Sequence, residues 1–477
     1  MKFGGTSVGS AERMKAACAL IAAEASRRPV VAVVSAMSKI TDLLLDTTRH
    51  AEAGDQAGID YNLHQLELRH YGAAGSLLGA DSQSTAEARA KAAQRIGEII
   101  SEFRRIVNGI QMLGHRPPRA IDEAVAVGER LSALMIAGYL KSIGIPAEAV
   151  NAAEVIVTDA VFNNASPLMD ATEKKAAARL VPLLEAGKIP VVTGFNGATA
   201  DGRPTTLGRG GSDFSASILA AALGASELWI WTDVDGIMTA DPRLVPDAKI
   251  LEEITYSEAA ELAYAGAKVL HPRTLAPLVE RKIPVWSKNS FAPEKPGTRI
   301  VPTLGADNPG ARAVTSMAKV TLLSLEPASA GAGGVHIMAR TMDALDRANV
   351  EVLAVSGSSY RQSFCLLVRN EELETATEAI EAALALELAH GYVRNIEVDP
   401  DVGLLAVVGE GMRGFSGVAG RIFTAISREN VNIIAIAQGS SELTISIVVR
   451  RDGLEKAVRA VHAECHLSNR STAASPE

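Results

Sequence analysis

Short apolar runs alternate with helical patterns through residues 1–300 of the chain. Three of these runs are typical of buried strands: Val30–Val34, Ile189–Thr193 and Leu228–Thr232. Each run is followed by a polar or glycine-rich loop and then by a helical pattern, which predicts an α/β domain with a largely parallel sheet. Ligands bind at the carboxyl ends of strands in such sheets. Residues 51–111 are mostly helical with polar faces, and we expect an insertion that serves as a lid or docking element.

The last third of the chain contains an internal repeat. Residues 322–369 align without a gap with residues 403–450, 81 positions further on, and Asn349-Val350 matches Asn430-Val431. Each copy has the pattern strand, helix, strand, strand, which predicts two packed α+β modules of the ferredoxin-like type. A Pro- and Gly-rich stretch precedes them. We expect an α/β domain at 1–300, a linker at 301–318, one module at 319–395, a second module at 396–466 and a flexible tail at 467–477.

Composition narrows the class of protein. Hydrophobic residues make up 47% of the chain, as in a globular protein, and the net charge of −8 argues against a general binder of nucleic acid or membrane surfaces. The three cysteines are far apart and fit neither a disulfide framework nor a zinc site, so we expect a reducing cytoplasm. No apolar run approaches the roughly 18 residues that a membrane span needs. The apolar stretch Met14–Ala25 contains Glu24 and fits a packed helix better than a signal peptide.

Two glycine-rich loops carry the strongest chemical signal. Thr206–Asp213 contains Gly-Arg-Gly-Gly-Ser and leads into an apolar helix predicted at Phe214–Leu223. Glycines let backbone N–H groups approach an anion, and a helix start adds unpaired donors. Arg209 supplies a planar fork suited to a carboxylate or a phosphate. The other loop, Lys2–Ser7, is the first along the chain and places a lysine two residues before a Gly-Gly pair, where it can bridge the leaving and transferred phosphates. Together they indicate phosphoryl transfer to an acidic small molecule.

Three further segments allow two interpretations each. Asp213 is either an ordinary helix N-cap or a carboxylate that holds Lys2. The hydroxyls of Ser35–Thr41 either orient a small acid or cap a helix. Glu129 opens an apolar helix, where an unpaired charge is costly. It either receives an ammonium group or forms an intramolecular ion pair.

The segment Thr232–Gly236, followed by Asp241-Pro242-Arg243, has the composition of a nucleotide-binding edge. Carboxylates suit ribose hydroxyls and Arg243 suits phosphates, although a turn rich in Asp and Gly has the same pattern. Lys268 offers another phosphate contact. The histidines show no metal-ligand spacing, so we expect no metal site built from side chains.

A formal dinucleotide fingerprint, Gly-Glu-Gly-Met-Arg-Gly at 409–414, follows an apolar run and precedes a helical pattern. The first repeat has Ala-Ser-Ala-Gly-Ala-Gly at the same register and lacks two of the glycines. The repeat is also too short for a dinucleotide domain, so we interpret these glycines as structural. The P-loop and protein-kinase motifs do not occur in the sequence.

Four segments together closely resemble the aspartate kinases of the amino-acid kinase superfamily: Lys2–Val8, Leu207–Asp213, Trp231–Ile237 and Gly266–Pro272. The resemblance covers nearly the whole chain, and the combination is highly specific. It implies a three-layer α/β/α sandwich followed by two regulatory modules of the ACT type. It also implies transfer of the γ-phosphoryl group of Mg-ATP to the side-chain carboxylate of L-aspartate, the first step of lysine, threonine and methionine biosynthesis.

The resemblance assigns roles to individual residues. Lys2 stabilises the charge on the transferred phosphoryl group, and Asp213 organises Lys2. The substrate residues are Arg209 for the α-carboxylate, Glu129 for the α-ammonium, and Ser35 and Thr41 for the reactive end. The residues expected to contact phosphate or nucleotide are Gly4, Gly5, Gly210, Gly211, Ser212, Thr232, Asp233, Met238, Arg243 and Lys268. The required cofactors are ATP and Mg²⁺.

The ACT resemblance implies feedback by an end-product amino acid, lysine or threonine. The effector residues expected in the second copy are Gln438, Ser440 and Glu442. The first copy has Gly357 and Arg361 opposite Gln438 and Glu442, so one effector site is expected to be altered or lost. ACT pairs of the family associate between chains, which predicts a homodimer or a dimer of dimers in the cytoplasm.

Two alternatives remain open at this stage. A kinase for another acidic metabolite, such as N-acetylglutamate, is less consistent with Glu129, which needs an ammonium partner. A non-catalytic amino-acid sensor on a disabled kinase is favoured only by the chain's start, where Met1 alone precedes Lys2 and the first strand is expected to be short. The sequence ends after the second module, so no fused homoserine dehydrogenase is expected.

Overall fold

The computed structural model describes residues 1–79, 83–267, 269–304, 310–328, 333–359 and 362–468, with the side chains of all but 83–86. The chain divides into two compact units. The first comprises Met1–Gly236, Glu252–Tyr256 and Leu270–Pro302, and the second comprises Ile237–Leu251, Ser257–Val269 and Thr303–Glu477.

Strands and helices follow each other along the chain as the sequence pattern predicts for an α/β protein with a C-terminal repeat. The strands are β1 (Lys2–Phe3), β2 (Ala32–Val34), β3 (Ala147–Val150), β4 (Val157–Thr158), β5 (Ile189–Thr193), β6 (Asn196–Thr199), β7 (Pro204–Thr206), β8 (Leu228–Thr232), β9 (Glu253–Thr255), β10 (Val285–Asn289), β11 (Thr298–Val301), β12 (Ala313–Pro327), β13 (Ala354–Gly357), β14 (Phe364–Arg369), β15 (Val393–Val408), β16 (Ile433–Gln438) and β17 (Thr444–Arg450). The helices are α1 (Ala11–Ala25), α2 (Ile40–Glu52), α3 (Gln56–Leu77), α4 (Gln83–Leu113), α5 (Pro118–Val125), α6 (Val127–Ser142), α7 (Met169–Glu185), α8 (Gly211–Ala222), α9 (Tyr256–Tyr264), α10 (Pro272–Arg281), α11 (Gly334–Arg347), α12 (Leu373–Ala383), α13 (Ala385–Ala389), α14 (Val418–Arg428) and α15 (Leu454–Glu464).

The first unit is built on an eight-stranded sheet in the order β3-β5-β2-β1-β8-β10-β11-β9. All neighbours in it are parallel except β10 and β11. The two residues of β1 point to opposite faces, as the period of a strand requires. Phe3 enters the core formed with α1 and α6, and Lys2 reaches Asp213 on α8. Helices therefore cover both faces of the sheet, and the predicted α/β class with a parallel core is confirmed.

The apolar runs predicted as strands occupy the centre of this sheet. β5 and β8 coincide with the predicted ranges, and β2 begins two residues later than predicted, at Ala32. The helix predicted at Phe214–Leu223 begins earlier, because Gly210 adopts a left-handed φ of 69° and forms the cap of α8. Ser212 and Asp213 therefore lie in the first turn of the helix.

Helices α3 and α4 pack into the main core of the first unit. Their buried side chains, which include Leu63, Leu66, Ile96 and Phe103, belong to one apolar cluster with residues of α1, α2 and α6. This differs from the separate lid or docking element that the sequence indicated. The spacing of the leucines in α3 is that of a helix face buried in a protein core.

The second unit contains a six-stranded sheet in the order β13-β14-β12-β15-β17-β16, with antiparallel neighbours throughout. The repeat is visible residue by residue. Asn349 and Asn430, 81 positions apart, have left-handed φ values of 54° and 55° after α11 and α14. Each copy ends with a helix that the sequence pattern did not include: α12 in the first copy and α15 in the second. Residues 313–318, predicted as linker, lie in β12.

The glycines of the formal dinucleotide fingerprint have structural uses. A Cβ at Gly409 would lie 2.6 Å from the carbonyl oxygen of Gly310, and Gly414 has a φ of 70°. The carbonyl oxygen of Gly411 accepts a hydrogen bond from the Gly310 N–H group at 2.6 Å. Close backbone contact and a left-handed turn therefore account for these glycines. Within the described residues, no helix has the length and apolar character needed to cross a membrane.

Candidate active site

The carboxyl ends of three central strands form the candidate site. Phe3 is in register with Val34 of β2 and with Trp231 of β8. The residues that follow, Gly4, Ser35 and Thr232, therefore lie at the same edge of the sheet. This edge is where parallel α/β sheets bind ligands.

Lys2 and Asp213 form an ion pair at this edge. Lys2 Nζ lies 2.5 Å from Asp213 Oδ1, and the two side chains are 8% and 22% exposed. The contact lacks the alignment of a hydrogen bond, since Asp213 Oδ1 has no hydrogen-bond partner in the described part of the chain. Because Gly210 is the cap of α8, Asp213 is a first-turn carboxylate and not an N-cap. Asp213 holds the buried ammonium group of Lys2 in place, and loss of this carboxylate would leave a buried charge unpaired, which is costly.

The two glycine-rich loops need glycine for steric reasons. A Cβ at Gly211 would lie 2.6 Å from the ring of Phe195, and one at Gly5 would lie 3.0 Å from the Ala36 carbonyl oxygen. Gly4 donates its N–H group to the Trp231 carbonyl oxygen at 3.1 Å. Gly210 has a left-handed φ, and the next residues begin α8. Backbone N–H groups at a helix start are suited to an anion.

Asp122 supports the second glycine-rich loop, and the sequence analysis missed it. This carboxylate on α5 is fully buried. It accepts hydrogen bonds from the Thr206 hydroxyl at 2.5 Å and from the Asn163 N–H group at 3.0 and 3.1 Å. Burial raises the pKa of Asp122, and these hydrogen bonds oppose the rise. Asp122 thus fixes the residue that begins the loop.

Arg273 of α10 braces the same loop from the other side. Its guanidinium donates to Asn164 Oδ1, and at 3.5 Å to the carbonyl oxygen of Leu207. A Cβ at Gly208 would lie 2.6 Å from Asn164 Oδ1, so loop and brace are in close contact. No local pattern marks Arg273 or Asn164, because their role depends on long-range contacts.

Glu129 is a buried carboxylate near Lys2. It lies in the first turn of α6. This turn packs closely against Ala36, because a Cβ added at the preceding Gly128 would lie 2.7 Å from the Ala36 side chain. Burial raises the pKa of Glu129 to about 7, against the lowering effects of a backbone hydrogen bond at Ala36 and the charge of Lys2. Its Oε2 atom has no hydrogen-bond partner among the described residues. The neighbouring Arg130 is not its partner, because Arg130 pairs with Glu102 at 2.7 Å.

The other predicted substrate residues lie after β2, in the first turn of α2 and on the second glycine-rich loop. Ser35 follows β2, and its N–H group donates to the Phe3 carbonyl oxygen at 3.1 Å. Thr41 is the second residue of α2, and both side chains are partly exposed. Arg209 is exposed between two glycines with left-handed φ values. Ser212, in the first turn of α8, packs against Gly194, where an added Cβ would lie 2.8 Å from the Ser212 Cβ.

The end of β8 carries the predicted nucleotide residues Thr232 and Asp233. Thr232 donates its hydroxyl to Asp233 Oδ1 at 3.2 Å. Ser290, which the sequence analysis missed, donates its hydroxyl to the Thr232 carbonyl oxygen at 3.1 Å and lies 2.7 Å from Ser7 Oγ. Asp235 is engaged by Lys295 at 2.6 Å.

The other three predicted nucleotide residues are Met238, Arg243 and Lys268. Met238 and Arg243 are part of the second unit. Arg243 Nη2 lies 2.6 Å from Asp241 Oδ2, so its guanidinium is bound to a carboxylate. Lys268 lies outside the described residues.

The predicted effector residues are exposed at the end of β16 and in the turn after it. Glu442 has a φ of 55° and accepts the Gly414 N–H group at 2.8 Å, which ties the turn to the loop before α14. Gly357, the counterpart of Gln438, ends β13. Arg361, the counterpart of Glu442, lies outside the described residues.

The described residues contain no group of three or more His, Cys, Asp or Glu side chains placed to hold a metal ion. A magnesium ion that arrives with a nucleotide needs few protein ligands, because phosphate and water oxygens complete its octahedral shell. Asp213 Oδ1 lies 2.5 Å from Lys2 Nζ and has no aligned hydrogen-bond partner within the described chain. These residues fit a metal ion delivered by the nucleotide.

Comparison with known proteins agrees with this fold. Residues 1–289 match the family model described as the amino acid kinase family, and residues 405–465 match the ACT domain. The chain therefore belongs to the amino acid kinase family. Within that family, the relatives that it matches along nearly its whole length are aspartokinases.

Three relatives illustrate the similarity. Aspartokinase 1, chloroplastic, of Arabidopsis thaliana is 32% identical over 482 residues, which cover 97% of this chain and 79% of that protein. The bifunctional aspartokinase/homoserine dehydrogenase 1 of the same plant is 35% identical over 480 residues, 99% of this chain and 51% of the relative. This chain thus spans about half the length of the bifunctional relatives. The structure of E. coli aspartokinase III in complex with aspartate and ADP is similar with a TM-score of 0.79 and 30% identity, covering 98% of this chain and 99% of that chain.

Proposed function

We propose that this protein is an aspartate kinase, which transfers the γ-phosphoryl group of ATP to the side-chain carboxylate of L-aspartate and releases ADP. The observation that carries the proposal is the Lys2–Asp213 ion pair at the carboxyl end of β1, with the buried carboxylate of Glu129 close by. The similar E. coli enzyme was solved with aspartate and ADP, which supports both substrates.

Two groups of opposite charge bind the amino-acid part of the substrate in this proposal. Glu129 accepts the α-ammonium group, which supplies the partner that its Oε2 atom lacks within the described chain. Arg209 binds the α-carboxylate through its planar fork. Ser35 and Thr41 orient the reactive carboxylate, which is already a nucleophile and needs no general base. Positioning and neutralisation of charge supply the catalysis.

Lys2 acts on the phosphoryl group. Its ammonium, held by Asp213, stabilises negative charge on the transferred phosphoryl oxygens as the bond to ADP breaks and the bond to the aspartate oxygen forms. Gly4, Gly5, Gly210 and Gly211, with Ser212, form the phosphate subsite, and Thr232 and Asp233 bind the nucleoside. The Gly4 and Gly211 N–H groups donate to the carbonyl oxygens of Trp231 and Gly208, so these two glycines serve by letting the phosphate approach the backbone. Mg²⁺ bound with the nucleotide would neutralise phosphate charge, and Asp213 would be the carboxylate that organises this metal–nucleotide complex. Met238, Arg243 and Lys268 remain predicted nucleotide contacts.

Regulation is proposed for the second unit. The ACT match at residues 405–465 and the repeat of the same elements support binding of a feedback amino acid, lysine or threonine, with Gln438, Ser440 and Glu442 as effector contacts. A solved complex of E. coli aspartokinase III contains lysine and aspartate, which favours an amino acid as effector. We further propose the domain limits 1–300, 319–395 and 396–466, association into dimers or dimers of dimers through the ACT modules, and a cytoplasmic location.

The test is ADP release by the purified chain with Mg-ATP and a panel of acids: L-aspartate, N-acetyl-L-aspartate, L-glutamate and N-acetyl-L-glutamate. Release with L-aspartate and not with its acetylated form supports both the activity and the role of Glu129. Release only with an acylated acid would reject the aspartate assignment. The assay is repeated with lysine and with threonine to identify the effector. The non-catalytic sensor is disfavoured, because the relatives that match along nearly the whole chain are aspartokinases.

A further inference from the structure

Arg69 of α3 connects the helical pair α3–α4 with a loop of the candidate active site. Its Nη2 atom donates a hydrogen bond of 2.8 Å to the carbonyl oxygen of Ser38. The side chain is partly buried, and burial lowers the pKa of the guanidinium. No acidic side chain in the described ranges forms an ion pair with it. A cation without a carboxylate partner is costly in such a place, so its position calls for an explanation.

The loop that Arg69 contacts follows β2 and, taken as residues 35–41, includes the first two residues of α2 and carries both hydroxyls assigned to the substrate. The Ser38 N–H group donates to the Gly5 carbonyl oxygen at 3.1 Å, which joins this loop to the first glycine-rich loop. Lys39 has a left-handed φ of 64°, which is unfavourable for a residue other than glycine. The loop is thus held in a strained conformation by contacts on two sides, from Gly5 and from Arg69.

Glu129 depends on the same loop. A backbone hydrogen bond at Ala36 is the largest of the effects that lower the pKa of this carboxyl group. A shift of residues 35–41 would therefore move Ser35, Thr41 and the donor to Glu129 together. These are the groups assigned to the amino-acid substrate, whereas the groups assigned to the nucleoside lie at the end of β8.

We propose that Arg69 is a positioning residue for the amino-acid subsite, which it maintains by fixing the Ser38 carbonyl group. This inference rests on the proposed function and deepens it. It assigns α3 a part in substrate binding that neither the glycine-rich loops nor the strand ends indicate. A guanidinium suits the task because it can donate several hydrogen bonds from one rigid plane, whereas a lysine has a single ammonium.

The test compares Arg69→Met, which keeps the apolar stem, with Arg69→Lys, which keeps the charge. Loss of a charged hydrogen bond predicts that Arg69→Met raises KM for aspartate about tenfold and changes KM for ATP less than about twofold. Arg69→Lys is expected to recover part of the loss. The matched control is Arg104→Met on α4, because Arg104 pairs with Glu67 of α3 at the surface, where the side chains are 54% and 37% exposed. This control should leave both KM values unchanged.

A second measurement does not depend on turnover. Hydrogen exchange of the peptide spanning residues 35–41 is expected to accelerate in Arg69→Met and to stay at the wild-type rate in Arg104→Met, since the Ser38 N–H bond to Gly5 loosens. Unchanged exchange in Arg69→Met would overturn the proposal. An equal rise of both KM values would also overturn it. If the wild-type protein does not phosphorylate aspartate but exchange accelerates, the proposed function fails and the positioning of the loop by Arg69 stands.

Discussion

Replacement of Glu129 by glutamine is expected to stabilise the first unit at neutral pH while weakening its use of aspartate. Burial raises the pKa of this carboxyl group from 4.5 to about 7. A difference of one pKa unit corresponds to about 1.4 kcal/mol, so keeping Glu129 ionised costs the folded state about 3 kcal/mol. Glutamine has nearly the same shape and carries no charge, and it removes this cost.

The pH dependence follows from the direction of the shift. Below pH 4.5 the carboxyl group is protonated in both the folded and the unfolded chain and contributes no difference. Between pH 4.5 and about 7 only the folded state holds the proton, so the contribution of Glu129 to stability falls as pH rises. Above about pH 7 the full cost is present. Wild type and Glu129→Gln should therefore converge at low pH and differ by about 3 kcal/mol at pH 8.

Denaturant unfolding followed by tryptophan fluorescence measures this difference. All three tryptophans, Trp229, Trp231 and Trp286, lie in the first unit, so the signal reports the unit that contains Glu129. The same variant should have a raised KM for aspartate, because the α-ammonium group loses its charged partner. Calorimetry of the wild type should show proton release on aspartate binding near pH 6.5, since an ammonium group lowers the pKa of Glu129. Equal stability of the two proteins at pH 8 would refute the reasoning.

Three further predictions concern the loops. Lys2→Ala should lower kcat at least about 100-fold, because the variant loses a charge that stabilises the transition state. Lys188→Ala removes an exposed lysine and should leave kcat unchanged. Initial-rate kinetics measure both variants. Asp122→Ala leaves the Thr206 hydroxyl without its acceptor and should cost about 1–3 kcal/mol in chemical unfolding, together with a lower kcat/KM. Gly211→Ala places a Cβ 2.6 Å from the Phe195 ring and should destabilise the protein by about 1–3 kcal/mol in chemical unfolding. The control is Gly138→Ala in α6, whose added Cβ has no neighbour within 4 Å and which should be neutral or stabilising in the same experiment. A destabilised Gly138→Ala would contradict the steric argument.

Local chemistry explains which parts of the site the sequence predicts. Lys2, Arg209 and Asp213 each lie within two residues of a glycine, so each is close in sequence to the feature that indicates its role. The parallel sheet also follows from local patterns, because its central strands are continuous apolar runs. The start of α8 was predicted three residues late, because the sequence does not show that Gly210 adopts a left-handed conformation.

The residues that the sequence analysis missed act across long distances. Asp122 bonds to Thr206, 84 positions away, and Ser7 lies beside Ser290, 283 positions away. A single carboxylate on an amphipathic helix and a single serine after a strand carry no local signal. The burial of α3 and α4 was underestimated for the same reason, since the partners of their apolar faces lie on helices elsewhere in the chain.

Identification of the reaction product tests the central claim most directly. Purified protein is incubated with Mg-ATP, L-aspartate and hydroxylamine, which converts an acyl phosphate into a stable hydroxamate. The account predicts that aspartate 4-hydroxamate forms with the wild type in amounts equal to the ADP released, and that Lys2→Ala forms almost none. ADP release without hydroxamate, or equal hydroxamate from the Lys2→Ala variant, would contradict phosphoryl transfer to the aspartate side chain at the Lys2–Asp213 site.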